Sequence, residues 1–399
     1  MIIPGFEGPF GKNTEGKKPS KPEILRRETR PCPPKTGKEE TAMKKILCML
    51  LALCMIFALA ACAAGGEKTP EANKTDDLVT VRVGCLNQQL SIPLYYISQK
   101  GWDVENGFKL ELSYFAQGSG INEALGAGLI DVFTIGAAGV NSCVIYDAVY
   151  LYSHENSSAG QQFMVRADSP IAQAKGQLAD HPDVLGSAET IKGSEFLLPM
   201  ATAAQLLADV YLDAFGLTED DVTMINISDD ASTYQAFVSG EGDFAKTSYP
   251  SADNYSDDYV VAVGMESIGV PYWDHFFASR DFHTNNREIL EKVVVQMIRA
   301  AEDFKDSDLM FQIMKDWYTH CGVTVENIDE KKHQVTERPF FTYDELTQID
   351  RASAFDSIAS FYAQVGTITQ ENYDKIAKDN MDDTVIAAAL EAYAAQYIK

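Results

Sequence analysis

The sequence predicts an α/β fold in two lobes with a helical C-terminal part, and three observations lead there. Between residues 79 and 155, short β-rich runs alternate with helical stretches at close spacing, the pattern of βαβ units around a parallel sheet. A second series of the same kind restarts at residue 194, and two series of similar size imply two lobes. From residue 285 onward the apolar periodicity is helical almost throughout.

Each element has its own warrant. "VTVRVGCL" (79–86) alternates β-branched and polar residues and predicts the first strand. "IPLYYISQKGW" predicts a helix capped by Ser91, with Pro93 in its first turn and Gly101 at its end. "FKLELSYF" (108–115) alternates strictly and predicts a second strand. "GSGINEALGAG" reads as a glycine turn into a short helix, "DVFTIGA" as a buried strand, "GVNSCVIYDA" as a helix and "VYLYSHE" as a strand. In the second series "SEFLLP" is a strand, and Thr202 caps an amphipathic helix that Gly216 closes. "VTMINIS", "DFAKTSY" and "YVVAVGME" are strands, with "ASTYQAFVSG" a helix among them. Four long helices follow, over "REILEKVVVQMIRAAEDFK", "DLMFQIMKDWYTH", "FDSIASFYAQVG" and "DTVIAAALEAYAAQY".

Ahead of the fold lies "MKKILCMLLALCMIFALAACAAGG" (43–66). Lys44 and Lys45 precede an apolar run, and small residues surround a cysteine, the layout of a secretory signal. "LAAC" (59–62) resembles the bacterial lipobox, which implies cleavage before Cys62 and lipidation of its thiol. Residues 43–61 are then the signal peptide. Residues 1–42 are rich in Pro, Gly, Lys and Glu without apolar periodicity, so they are expected to be disordered or to precede the true start at Met43. Residues 62–77 read as a flexible tether. The expected location is a lipid anchor on the extracytoplasmic side of the cell membrane.

From Cys62 on, 22 basic and 52 acidic residues give a net charge of −30, which excludes the basic footprint that nucleic acid requires. Cys85, Cys143 and Cys321 cannot all pair, and no C-x-x-C spacing occurs. The six histidines are scattered, so no metal site is indicated. There is no G-x-S-x-G elbow, P-loop or H-E-x-x-H, hence no catalytic residue or cofactor to name.

The mature chain resembles the solute-binding proteins of ABC importers, in particular the group taking nitrate, sulfonate, taurine and thiamine precursors. The likeness runs through "VRVGCL" with its "PLYYISQKG" helix, then "NGFKLELSYFAQGSGINEALGAGLIDVFTIG", "ADSPI", "IKGSEFLLPMATAAQLL", "GLTEDDVTMINIS" and "AFVSGEGDFAKTSYP". Glu123, Ala124, Leu125, Gly128, Asp131 and Gly136 hold the marker positions. The chain departs at the start of the second-lobe helix, where Ala201-Thr202 replaces glycine-serine.

The resemblance implies a type II periplasmic-binding-protein-like fold with two crossover strands, placed near "QQFMVRAD" and "HFFASRD". Lobe 1 is then 78–168 plus 275–399 and lobe 2 is 169–274. It also implies a monomer that captures a small-molecule solute between the lobes and delivers it to permease and ATPase subunits. An enzyme on the same fold, similar to thiamine-pyrimidine synthases, and a membrane-tethered sensor are the alternatives. Strand ends and helix starts should line the cleft. That selects Gln88, Gln89, Ser91, Ala137, Ala138 and Asn156 on lobe 1, with Thr202, Tyr249, Tyr272 and Trp273 on lobe 2. Backbone N–H groups at Ala138 and Thr202 are expected to receive partial negative charge. No arginine lies in these stretches, and the aromatics there read equally as core or as flat walls. A flat, partly apolar heterocycle is therefore expected over a small anion, unless Arg166 or Arg280 reaches the cleft.

Overall fold

The computed structural model describes residues 78–398, apart from 201, 250 and 326. The signal peptide, lipidation site and tether lie outside the described residues. Two five-stranded sheets organise the chain. The first contains β1 (Val79–Leu86), β2 (Phe108–Phe115), β3 (Val132–Ile135), β4 (Val149–Asn156) and β10 (Trp273–Ala278), in the order β2-β1-β3-β10-β4. The second contains β5 (Gln162–Arg166), β6 (Glu195–Leu198), β7 (Thr223–Asn226), β8 (Phe244–Thr247) and β9 (Tyr259–Gly264), in the order β7-β6-β8-β5-β9.

The βα series behave as their patterns dictate. β1 runs parallel to β2 and β3, and β6 runs parallel to β7 and β8. Two strands break the parallel pattern. β10 lies antiparallel between β3 and β4, and β5 lies antiparallel between β8 and β9. Both are strands that have just changed sheet. The chain passes from first sheet to second through residues 157–161 and back through 265–272.

The boundaries read from sequence do not coincide with these passages between sheets. The edge at 168/169 leaves β5 with the first lobe, yet β5 pairs wholly within the second sheet. The edge at 274/275 cuts β10, whose Trp273 and Asp274 already pair with Asn156 and Glu155 of the first sheet. The two crossover strands do lie at "QQFMVRAD", which holds β5, and "HFFASRD", which holds most of β10, but an antiparallel guest strand carries no βα signature to show which sheet it joins.

The helix Ile92–Lys100 ends on Gly101 in the left-handed conformation, as predicted, but Ser91 does not cap it. Its hydroxyl is instead bonded to Thr134 Oγ1 at 2.7 Å, tying the helix entry to β3. Thr202 does cap the helix Ala203–Ala214, accepting from the Ala204 N–H. The helices Ile92–Lys100, Arg287–Asp303, Ser307–Cys321 and Thr384–Tyr397 bury one face of the first sheet around Trp317, Tyr152 and Phe276. The helix Ser353–Gln364 covers the other face, where Phe355 stacks on Tyr150 at 4.6 Å, and it also packs on the helix Ala203–Ala214. In the second sheet, Phe196 and Phe244 stack at 4.0 Å.

The first sheet also buries two histidines. His275 Nδ1 is 2.9 Å from Ser153 Oγ, and its Nε2 has no hydrogen-bond partner. Burial, followed by repulsion from His154, pushes His275 down to about 3; burial alone drives His154 to about 4, against the hydrogen bond to the Leu90 carbonyl. Both are neutral in the fold and protonate near 6.5 when unfolded. Between those values the unfolded chain binds the extra protons, so stability falls as pH falls through that window. Glu155, raised by burial, works in the opposite sense by taking up a proton within the fold. Replacing His275 by Gln should keep the Ser153 bond and remove one proton from the slope, about 1.4 kcal/mol per pH unit. Urea unfolding at pH 7, 6 and 5 checks this; an unchanged slope would refute it.

Candidate functional site

The carboxyl ends of the parallel strands in the two sheets face one cavity of about 300 Å³. Leu86 and Gln88 enter from the end of β1, and Ile135 to Ala138 from the end of β3. Pro199, Thr202 and Ala203 enter from the end of β6, and Lys246 and Ser248 from β8. Tyr272 and Asp274 come from the returning crossover and β10, Arg338 from the end of the helix His333–Glu337, and Tyr362 from the helix over the first sheet. Ligands settle at this position in open α/β sheets because neighbouring strand ends and helix starts leave a crevice there.

Gly136 shows how closely the walls approach. A Cβ placed there would lie 2.5 Å from Tyr272 Oη and 2.8 Å from Asp274 Oδ1, so only glycine lets β3 end against the crossover. The Ala137 N–H donates to that Tyr272 oxygen at 3.4 Å.

Of the residues selected from sequence, Gln88, Ala137, Ala138, Thr202 and Tyr272 line the cavity. The others stand off it. Gln89 is buried behind it, donating from Nε2 to the Arg338 carbonyl at 2.7 Å. Ser91 is occupied with Thr134. Asn156 Oδ1 accepts from the Ser158 N–H and shapes the first crossover. Trp273 packs edge-on against Phe341 at 4.9 Å. At the first of these helix starts, Gly139, Val140 and Asn141 donate to the carbonyls of Gly136, Ala137 and Ala138.

The stretches named from sequence hold no arginine, yet two cations line this cavity. Arg166 and Arg280 stay away, the first donating to the carbonyls of Phe237, Glu241 and Gly242 and the second pairing with Asp147. Lys246 and Arg338 reach the cavity instead. Lys246 was hidden in an apolar strand pattern, and Arg338 lies in a segment far from any βα unit. Arg338 is buried between Glu155 Oε1 at 3.0 Å and Asp274 Oδ2 at 3.2 Å. Burial works against its charge, but the two carboxyls outweigh it and hold the guanidinium raised. Burial also raises Asp274, opposed by Arg338. Lys246 sits 3.7 Å from Asp230, and burial lowers it against that partner's attraction.

Tyr249 has a different employment. Its ring packs on Gly160 of the first crossover, at a positive φ where a Cβ would lie 2.3 Å from the ring. Its hydroxyl donates to Glu337 Oε2 at 2.5 Å. Nearby, Asp253 Oδ2 accepts from Gln334 Nε2 at 2.6 Å and lies 3.1 Å from His333 Nε2 and 3.8 Å from Lys331 Nζ. Tyr249 and Asp253 follow β8 of the second sheet, whereas Val335 and Phe340 root residues 331–338 in the core of the first. These contacts clasp the two sheets together beside the cavity.

No known family profile matches the chain. A protein of Brachyspira hyodysenteriae, carrying the name of an ABC transporter periplasmic binding protein, is 28% identical over 348 residues, which is 87% of this chain and 98% of that one. Among solved structures, the periplasmic aliphatic sulphonate binding protein SsuA from Escherichia coli matches with a TM-score of 0.59 at 16% identity, over 73% of this chain and 89% of that one. The periplasmic nitrate-binding protein NrtA from Synechocystis PCC 6803 matches with a TM-score of 0.59 at 13% identity, over 79% and 89%. The chain has the periplasmic-binding-protein fold. The resemblance to ABC-importer binding proteins seen in its sequence is borne out by the Brachyspira relative across nearly the whole of that protein.

The clasp yields a prediction. Tyr249→Phe removes one cross-sheet hydrogen bond, and Asp253→Asn weakens three contacts while keeping the side chain's shape. Each should speed amide exchange about 3- to 10-fold in residues 331–338 on the opposite sheet's side, the scale of one lost hydrogen bond. Peptide-resolved hydrogen exchange reads this directly. Changes confined to residues 249–254 would show that the contacts do not join the halves.

Proposed function

We propose that this protein is the extracytoplasmic solute-binding component of an ABC import system. It holds a small organic solute between its two sheets, delivers it to permease and ATPase subunits, and works as a monomer anchored to the membrane through a lipid on Cys62. The observation that carries the reading is the cavity at the strand ends, walled from both sheets beside the two crossovers. In this reading each sheet with its helices is one lobe, and residues 157–161 and 265–272 are the hinges. Solute stabilises the closed arrangement because it binds both walls only when they meet.

The lining supports binding rather than chemistry. Among the described residues no histidine or cysteine lines the cavity, and no cluster of His, Cys, Asp or Glu is placed to hold a metal ion. No described helix is long and apolar enough to cross a membrane. The name of the Brachyspira relative, together with the sulphonate- and nitrate-binding names of the structural neighbours, favours an import receptor over an enzyme. Sulfonates, nitrate and thiamine precursors are the solute classes the family resemblance offers.

Two experiments test the proposal. Mass spectrometry of small molecules carried through purification should identify a solute, and adding it at 100 times its Kd should raise stability by about 2.7 kcal/mol. Failure of any copurified or candidate solute to shift the melting temperature would count against import. Separately, Cys62→Ser should leave the protein unacylated and shed from membranes; unchanged membrane association would remove the lipid anchor from the reading.

A further inference from the structure

The names of two structural neighbours, a sulphonate- and a nitrate-binding protein, point to anions, and two cations stand in the cavity wall here. Each cation, however, already has a carboxylate. Lys246 faces Asp230 at 3.7 Å, and Asp230 also accepts a hydrogen bond from Ser248 Oγ that fixes its orientation. Arg338 is held by Asp274 at 3.2 Å and Glu155 at 3.0 Å, and Asp274 itself lines the cavity. With Glu155 neutral the two pairs sum to zero; with Glu155 ionised the surroundings are net negative. With Asp274 ionised, neither state leaves surplus positive charge.

Part of the backbone at the wall is likewise already engaged. The N–H groups of Gly139, Val140 and Asn141 are spent on the preceding turn, and that of Ala204 on Thr202 Oγ1. An entering anion would have to be desolvated next to Asp274 and compete for groups that carboxylates already hold. The remaining polar surface is neutral: Gln88, Asn141 and Gln161 offer carboxamides, with Tyr272 and Tyr362 as aromatic walls. Carboxamides both donate and accept, which suits ligand groups such as amides, hydroxyls and ring nitrogens.

We infer that Asp230 and Asp274 are specificity-determining residues that cancel the charge of Lys246 and Arg338, so that the cavity takes an uncharged polar solute and rejects small anions. This rests on the cavity being the solute site, but its test is separate from the search for the natural solute. The probes are sodium methanesulfonate and sodium nitrate, titrated by calorimetry against the full-length protein at pH 6.

Wild type should show no saturable binding of either salt up to about 10 mM, weaker than the ~1 mM that corresponds to 4.1 kcal/mol. Asp230→Asn keeps an acceptor for Ser248 but frees Lys246, and should bind methanesulfonate at least about tenfold more tightly, the worth of one charge-assisted hydrogen bond. Asp274→Asn makes the same test from the other wall should the first variant not fold, as judged by circular dichroism. Gain of anion binding in a folded variant, absent from wild type, supports the inference. Micromolar binding of either salt by wild type overturns it, as does a failure of both folded variants to gain affinity. Absence of any copurified solute would strike at the cavity's role instead, without touching the charge comparison.

Discussion

Arg338 is the junction on which this architecture turns. A guanidinium cannot shed its charge, so burying one commits the surrounding chain to supply carboxylates and carbonyl acceptors at fixed places. Here the carboxyls come from neighbouring antiparallel strands, Glu155 from β4 and Asp274 from β10, which pair directly opposite each other. β10 must therefore return from the second sheet and lie beside β4 for the cation to be satisfied. That return makes the second crossover, and the crossover closes one wall of the cavity through Tyr272. The same arginine ends the helix His333–Glu337, whose residues reach across to Asp253 and Tyr249. One buried ion cluster thus ties together the C-terminal helices, the returning strand and the cavity wall. Loss of one member of such a cluster leaves its partners buried and unpaired, which costs far more than the cluster contributes net.

How legible this was in the sequence varies with the range of the interactions concerned. The parallel cores around β1 and β6 were readable because alternation, glycine helix ends and the Thr202 cap are local signals. Thr202, Ala137 and Ala138 reached the cavity for the same reason: they sit at strand ends that local pattern locates. β5 and β10 were located only as the crossover strands the family resemblance implies, and their places within each sheet were not legible, because their partners lie far along the chain and run antiparallel. Arg338 escaped because nothing local distinguishes "TERPF" from a surface turn; only its burial against Glu155 and Asp274 gives it meaning. Tyr249 and Trp273 were chosen for their chemistry at strand ends, but aromatic rings serve cohesion as readily as recognition. One packs on Gly160 and bonds across the clasp, and the other leans on Phe341.

The clasp and the cavity divide the work of holding the lobes. Asp253, Gln334, Tyr249 and Glu337 bring the sheets together without touching the cavity, so their contribution to closure is the same whatever occupies it. A solute then has to supply only the remainder of the closing free energy, since a ligand shifts a conformational equilibrium by its differential affinity alone. Such a division suits an uncharged ligand. Its hydrogen bonds exchange with those of water and return about 0.5–1.5 kcal/mol each, less than a desolvated ion pair with good geometry can supply. An anion receptor can draw its lobes together through the ligand's charge. On the proposed reading, a receptor whose cations are already neutralised builds part of the closure into its own chain, and the contacts of residues 331–338 are the ones placed to provide it.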